Sequence, residues 1–200
     1  PMNTHGTIVR INTDGSIPAD NPFADGEAGA PAVWSYGHRN VQGLYYDAAT
    51  GTLYETEHGP KGGDELNLVT PGTNYGWPEI TYGVNYDGTI ITNKTEAEGM
   101  AQPLTYWVPS IAPSGLVMLT SDVYPGWKGD LFTGGMNGPA GLELTRIDME
   151  KSSASNPCST VSIRSVTLCR ARTATSMWQR RILTASFAWT LPKPKRNSCG

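Results

Sequence analysis

Short runs of alternating apolar and polar residues follow one another along the first 150 positions, each closed by a turn. Gly6 to Ile11 alternates with the period of a half-buried strand and is closed by Asn12-Thr13-Asp14-Gly15. Residues 17–32, rich in Pro, Asp, Ala and Gly, have no period and read as a surface loop. Val33-Trp34-Ser35-Tyr36 reads as the next strand. Tyr45 to Glu55 reads as strand, Asp-to-Gly turn and strand, a hairpin. Leu66 to Val69, Ser114 to Leu119, Asp130 to Gly135 and Gly141 to Ile147 continue the series. No run exceeds about eight residues, and no helical face persists for three turns. The pattern predicts an all-β fold of the sandwich or propeller kind.

Composition agrees, with 23 Gly and 15 Pro in 200 residues. No stretch of about 18 apolar residues occurs, so no membrane-spanning helix is expected. The sequence opens at Pro1-Met2-Asn3 without a charged-then-apolar stretch, which in an expected fragment says little about location. Charge divides the chain sharply. Residues 1–150 carry all 18 Asp and Glu against six Lys and Arg, a net charge of −12. Residues 151–200 carry nine Lys and Arg, no acid, one Gly and all three Cys. Two segments are therefore expected: a β domain over 1–150 and a tail of different origin over 151–200.

The polar residues concentrate between Arg39 and Glu65. An Arg39-Asn40-Val41-Gln42 cluster precedes the hairpin, and Glu57-His58-Gly59-Pro60-Lys61-Gly62-Gly63-Asp64-Glu65 follows it. The first offers donors to an anion. The second is a side-chain-poor loop whose carbonyls suit a hard cation. As plain alternatives, Arg39 is a surface residue on a turn and Asp64 an ordinary loop acid. His58 has no second His or Cys at ligand spacing, and His5 and His38 look equally isolated. Trp107 is either a pocket wall or, as is commoner for Trp in a β-rich chain, a packing anchor.

The run Gly37-His38-Arg39-Asn40-Val41-Gln42-Gly43, followed by Glu57-His58-Gly59-Pro60 and Gly62-Gly63-Asp64-Glu65, resembles the soluble quinoprotein aldose sugar dehydrogenases of the glucose/sorbosone dehydrogenase family. Asn74-Tyr75-Gly76-Trp77-Pro78 and Ala112-Pro113-Ser114-Gly115-Leu116 extend the match, which covers about residues 5–150. The resemblance implies a six-bladed β-propeller of the quinoprotein glucose dehydrogenase type, of which this chain is a part. It further implies oxidation of aldose sugars at C1 to lactones, with pyrroloquinoline quinone (PQQ) and calcium as cofactors and an external electron acceptor. By the same resemblance Arg39, Asn40 and Gln42 bind the quinone, Gly59 and Pro60 give backbone carbonyls to calcium, and Asp64 assists the catalytic centre. Glu65 by its carboxylate and Tyr75 by its carbonyl fit a second, structural calcium. A periplasmic or secreted location is implied as well; the oligomeric state is left open.

The chain departs from the family pattern in two places. The family's general-base His comes from an early blade, and no residue here replaces it. Gly134 to Ala140 holds no Lys or Arg where family members place one on the cofactor. This polypeptide is therefore expected to turn over little or no sugar.

The tail is expected to be a misread frame with no native fold. If the frame slips just before Ser152, synonymous codons for Ser152–Leu191 read VGEQPLLNGLD and, after one further position, ERDVVQGPDGNVYVATEDPDGKLRVDP. That acidic string alternates as strands do and contains two Asp-Gly turns. One event thus accounts for the lost acids and glycines and the gained Arg and Cys. The alternative, a genuine basic tail for nucleic acid or a membrane surface, needs a separate explanation for each, and no nucleic-acid partner is expected. Two rival functions stand beside the enzymatic one: a non-catalytic calcium-binding propeller module, and an inert truncated product with open strand edges that aggregates.

Overall fold

Among the described residues, alternation of side chains on extended backbone produces ten strands. They are β1 (Thr7–Val9), β2 (Val33–Tyr36), β3 (Val41–Asp47), β4 (Thr52–Glu57), β5 (Asp64–Val69), β6 (Thr105–Trp107), β7 (Pro113–Met118), β8 (Leu131–Gly138), β9 (Gly141–Ile147) and β10 (Thr160–Ile163). The computed structural model describes residues 1–138, 141–149 and 160–163. These lie in a unit spanning Pro1–Thr167. Among the described residues the regular structure is all β.

Strands β3-β4-β5-β6 form one antiparallel sheet and β7-β8-β9-β10 a second, each an up-and-down meander in chain order for β3 to β6 and β7 to β10. Such a four-stranded meander is the unit of a propeller blade. β1 and β2 pair separately as a two-stranded ribbon. The expected hairpin is present, with Asp47 opposite Thr52. Gly51 closes it by donating its N–H to the Asp47 carbonyl at 2.8 Å.

The core lies between the two sheets. Leu66 and Trp107 of the first pack with Leu131 and Ile147 of the second, and Tyr45, Tyr54 and Leu116 close around them. Trp107 is therefore a packing anchor, 7% exposed. Polar contacts join the same faces: the Thr56 hydroxyl donates to the Ser114 carbonyl at 3.4 Å, and His58 Nε2 meets the Pro113 carbonyl at 2.7 Å. A fully buried aliphatic or aromatic side chain contributes about 1.5–3 kcal/mol, so this apolar layer carries most of the attachment between the sheets.

Sequence reading passed over β6 and β10. β6 is three residues long and flanked by Pro103 and Pro109, too short to display a period. β10 falls in the tail, where Val161 pairs with Arg146 and Ile163 with Leu144. The rest of the tail, residues 151–159 and 164–200, lies outside the described residues, and with it the expectation that the tail has no native fold.

Candidate functional site

Both ends of the β3-β4 hairpin come together at one side of the first sheet. Arg39 stands just before β3, and Gly59 just after β4. Arg39 Nη1 donates to the Gly59 carbonyl at 2.8 Å and to the His58 carbonyl at 3.0 Å. The guanidinium carbon lies 5.2 Å from the centre of the Trp77 ring, within cation–π range. Arg39 Nε is buried and has no partner. Asn40 and Gln42 are exposed beside it, with Gln42 Nε2 donating to Asn40 Oδ1 at 2.9 Å. A cleft of about 470 Å³ opens here, lined in part by Tyr36, Gly37, His38, Arg39, Asn74 and Trp77.

The Gly59-Pro60 loop folds tightly on itself. A Cβ at Gly59 would stand 2.2 Å from the Gly62 carbonyl oxygen and 2.3 Å from that of Gly63. Only glycine allows backbone oxygens so close. Asp64 holds this loop: its Oδ1 accepts from the Gly59 N–H at 2.9 Å. Its Oδ2 accepts from the Ser110 hydroxyl at 2.7 Å and from the N–H groups of Ile111 and Ala112 at 2.8 and 2.9 Å. Asp64 is fully buried. Both of its oxygens are thus engaged within the fold, and it ties the start of β5 to the segment entering β7.

Glu65 and Tyr75 sit in a different polar cluster. Residues directly opposite in an antiparallel sheet share a face. Glu55 is opposite Asn67, and Glu57 opposite Glu65, so four polar side chains tile one face of β4 and β5. His38 lies against this tile, its Nδ1 at 3.5 Å from Glu55 Oε1 and 3.7 Å from Glu57 Oε1. Tyr75 stacks on the imidazole with ring centres 4.5 Å apart. Its hydroxyl donates to the Leu68 carbonyl at 2.5 Å. Asn67 Nδ2 lies 2.8 Å from Glu55 Oε1, 3.2 Å from Glu65 Oε2 and 3.5 Å from Glu57 Oε1.

The electrostatics follow from that crowding. Burial pushes the Glu55 carboxyl up to about 7 against the opposing pull of His38. Burial, then the charge of Glu57, raises Glu65 to about 8. Burial alone would lower His38, but the neighbouring carboxylates of Glu55 and Glu57 outweigh it and raise the imidazole to about 9.

His38 looked isolated in the sequence, and the structure corrects that. Two carboxylates lie within 4 Å of it, from residues 17 and 19 positions further on. The Glu55-Thr56-Glu57 alternation was the available signal, because period-two spacing on a strand puts both acids on one face. His58 is positional, as its bond to Pro113 shows.

The residues around Arg39 fit the two groups that the resemblance implies. A half-buried guanidinium at the wall of a cleft suits an anionic, carboxylate-bearing molecule. The tight turn from Gly59 to Gly63 is poor in side chains and leaves backbone carbonyl oxygen, the donor a hard cation takes, close at hand. The Gly59 carbonyl has two lone pairs, so it can keep Arg39 and accept a second partner.

The chain is similar to known sugar dehydrogenases. The family model described as Glucose / Sorbosone dehydrogenase matches residues 1–172. Aldose sugar dehydrogenase YliI of Escherichia coli is 46% identical over 134 residues, which cover 66% of this chain and 36% of that protein. A crystal structure of glucose dehydrogenase superposes with a TM-score of 0.66 at 42% identity, covering 71% of this chain and 41% of the other. The PQQ-bound form of aldose sugar dehydrogenase from Streptomyces coelicolor superposes with a TM-score of 0.56 at 32% identity, covering 79% and 39%. The matched region is therefore well under half of each of these proteins.

Proposed function

Because the chain belongs to the glucose/sorbosone dehydrogenase family, we propose that it forms part of a quinoprotein oxidoreductase that oxidises aldose sugars at C1 to lactones, with PQQ and calcium as cofactors. The observation that carries this reading is the contact of Arg39 with Gly59 at 2.8 Å, which joins an anion-binding side chain to a cation-binding loop. Similarity to quinoprotein glucose dehydrogenase B of Acinetobacter calcoaceticus, 45% identical over 92 residues, supports the choice of cofactor.

In this reading Arg39 holds a cofactor carboxylate through its forked donors, and Asn40 and Gln42 hold neutral oxygens from the exposed side. The carbonyls of Gly59 and Pro60 hold calcium. Asp64 keeps those carbonyls in place through the Gly59 N–H, acting as a positioning residue. When bound, the quinone supplies a two-electron acceptor and calcium a Lewis acid beside it. Glu65 and the Tyr75 carbonyl serve a second, structural calcium. His38 and His58 are engaged within the fold, and by the family pattern the proton of the sugar hydroxyl is taken by a His of an early blade that has no counterpart among these residues. The chain alone turns over little or no sugar. The enzyme works in the periplasm or outside the cell and passes electrons to an external acceptor.

Equilibrium dialysis of the 200-residue chain against PQQ, with and without calcium, tests the assignment. Calcium-dependent retention that Arg39→Ala weakens about 10- to 100-fold is the expected result. Retention that ignores both calcium and Arg39 overturns it. A calcium-raised melting temperature with no retention of PQQ favours a non-catalytic calcium-binding module instead. Dye reduction by this chain with glucose, PQQ and calcium would overturn the assignment of the base to another part of the enzyme.

A further inference from the structure

The buried tile on β4 and β5 has more acceptors than donors. Glu55, Glu57 and Glu65 bring three carboxylates together, and one amide nitrogen, Asn67 Nδ2, is shared among all three. The N–H groups of Arg39 and Asn40 satisfy one further oxygen, Glu57 Oε2, at 2.6 and 3.0 Å. Three buried atoms remain without a partner: His38 Nδ1, Glu55 Oε2 and Asn67 Oδ1. Their residues are 2%, 0% and 0% exposed. Leaving buried polar atoms unpaired costs about 1–3 kcal/mol each, and more where charge is involved.

A proton on His38 Nδ1 removes part of this deficit by pairing the imidazole with Glu55 and Glu57. It leaves Glu55 Oε2 and Asn67 Oδ1 as they were. A bound cation instead takes the His38 Nδ1 lone pair and the two carboxylate oxygens that face it, Glu55 Oε1 and Glu57 Oε1, to a single centre.

The distances fit such a centre. One ligand atom each from His38, Glu55 and Glu57 can be chosen so that all three lie within 4.8 Å of one another. The observed separations of 3.5 and 3.7 Å are close to the roughly 3.4 Å between ligands placed about 2.1 Å from a tetrahedral ion. His38 is already oriented for the task. Its Nε2 meets the Ser35 hydroxyl at 2.9 Å, and Ser35 is fully buried. With the proton on Nε2 donated to Ser35, the Nδ1 lone pair faces the carboxylates, as a metal-ligating imidazole requires.

We infer that His38, Glu55 and Glu57 form a binding site for a divalent first-row transition cation of the zinc type, backed by Asn67. The imidazole ligand distinguishes it both from the calcium loop at Gly59 and Pro60 and from the second calcium proposed at Glu65 and the Tyr75 carbonyl, because neutral nitrogen suits zinc and its neighbours while calcium takes oxygen. Glu65 reaches the cluster through Asn67 and is not among the ligands. Because Glu57 also accepts the N–H groups of Arg39 and Asn40, a cation held there fixes the segment that carries Arg39.

The test is titration of the full 200-residue chain with Zn²⁺ after removal of metal by a chelator. The thiols of Cys158, Cys169 and Cys199 are alkylated first, so that they cannot supply ligands. Calorimetry is expected to show one equivalent of Zn²⁺ that calcium in large excess does not displace. His38→Gln and Glu55→Gln, checked for folding by circular dichroism, are each expected to weaken binding by about 10- to 100-fold or more. His5→Gln is expected to leave it unchanged. X-ray absorption of the Zn²⁺-loaded unmutated chain provides a reading independent of any variant, with one imidazole nitrogen in an otherwise oxygen shell expected. Absence of stoichiometric binding, displacement by calcium, an all-oxygen shell, or undiminished binding by His38→Gln overturns the inference.

Discussion

Arg39 Nη1 donates to the carbonyl of Gly59 at 2.8 Å, so the two ends of one hairpin are held together by a cation on a carbonyl. Replacing Arg39 separates charge from geometry. Lys keeps the charge but lacks the planar fork. Hydrogen bonds to charged groups contribute about 1.5–3 kcal/mol. Arg39→Ala is expected to weaken PQQ retention about 10- to 100-fold, and Arg39→Lys to recover only part of the loss. Equal retention by Lys and Arg in dialysis would show that charge alone is used.

Asp64 joins three segments with four hydrogen bonds. Asn at this position must turn an amide NH₂ toward groups that are themselves donors. Asp64→Asn is expected to cost about 2–4 kcal/mol, and Ser110→Ala about 1 kcal/mol, since it removes one of the four donors. Urea midpoints of the three proteins check this. An unchanged midpoint for Asp64→Asn would remove Asp64 from its clamping role.

Stability of the chelator-treated chain should fall as pH rises. The His38 imidazole is raised from 6.5 to about 9, so its contribution is complete below about pH 6.5 and is lost on passing pH 9. Glu55 and Glu65, raised from 4.5 to about 7 and about 8, bind protons more tightly folded than unfolded. Their contributions too are present at low pH and lost as the pH passes those values. All three act in the same direction between about pH 5 and pH 9. Urea unfolding across that window is expected to show a falling midpoint, flattened at its upper end by His38→Gln. A midpoint that rises toward pH 9 contradicts the linkage.

Gly37 sets the turn that delivers His38 and Arg39. Its φ is +78°, and a Cβ there would stand 2.1 Å from Asn74 Oδ1 and 2.7 Å from the Gly76 nitrogen. Gly15 has a similar φ of +85° but open space around it. Gly15→Ala is therefore expected to cost about 1–2 kcal/mol for the left-handed backbone alone. Gly37→Ala is expected to cost about 3 kcal/mol or more, because the clash adds to the backbone strain. Thermal melts of the pair separate the two effects, and equal losses would mean that the Asn74 contact yields freely.

Local pattern was enough to determine the strands other than β6 and β10, the hairpin, and the proximity of Arg39 to the Gly59 loop. Alternation reports burial on one face, and a short hairpin brings its own ends together, so both are written in neighbouring residues. The sequence also carried the family motifs and the charge boundary near residue 150. Tertiary structure alone decided that His38 faces Glu55 and Glu57. That depends on the register of β4 against β5 and on the packing of the segment after β2 onto their shared face. The donors to Asp64 at Ser110, Ile111 and Ala112 likewise come from more than 40 residues away. Side-chain periodicity says which face of a strand is buried; what lies across that face is settled only when the sheets pack.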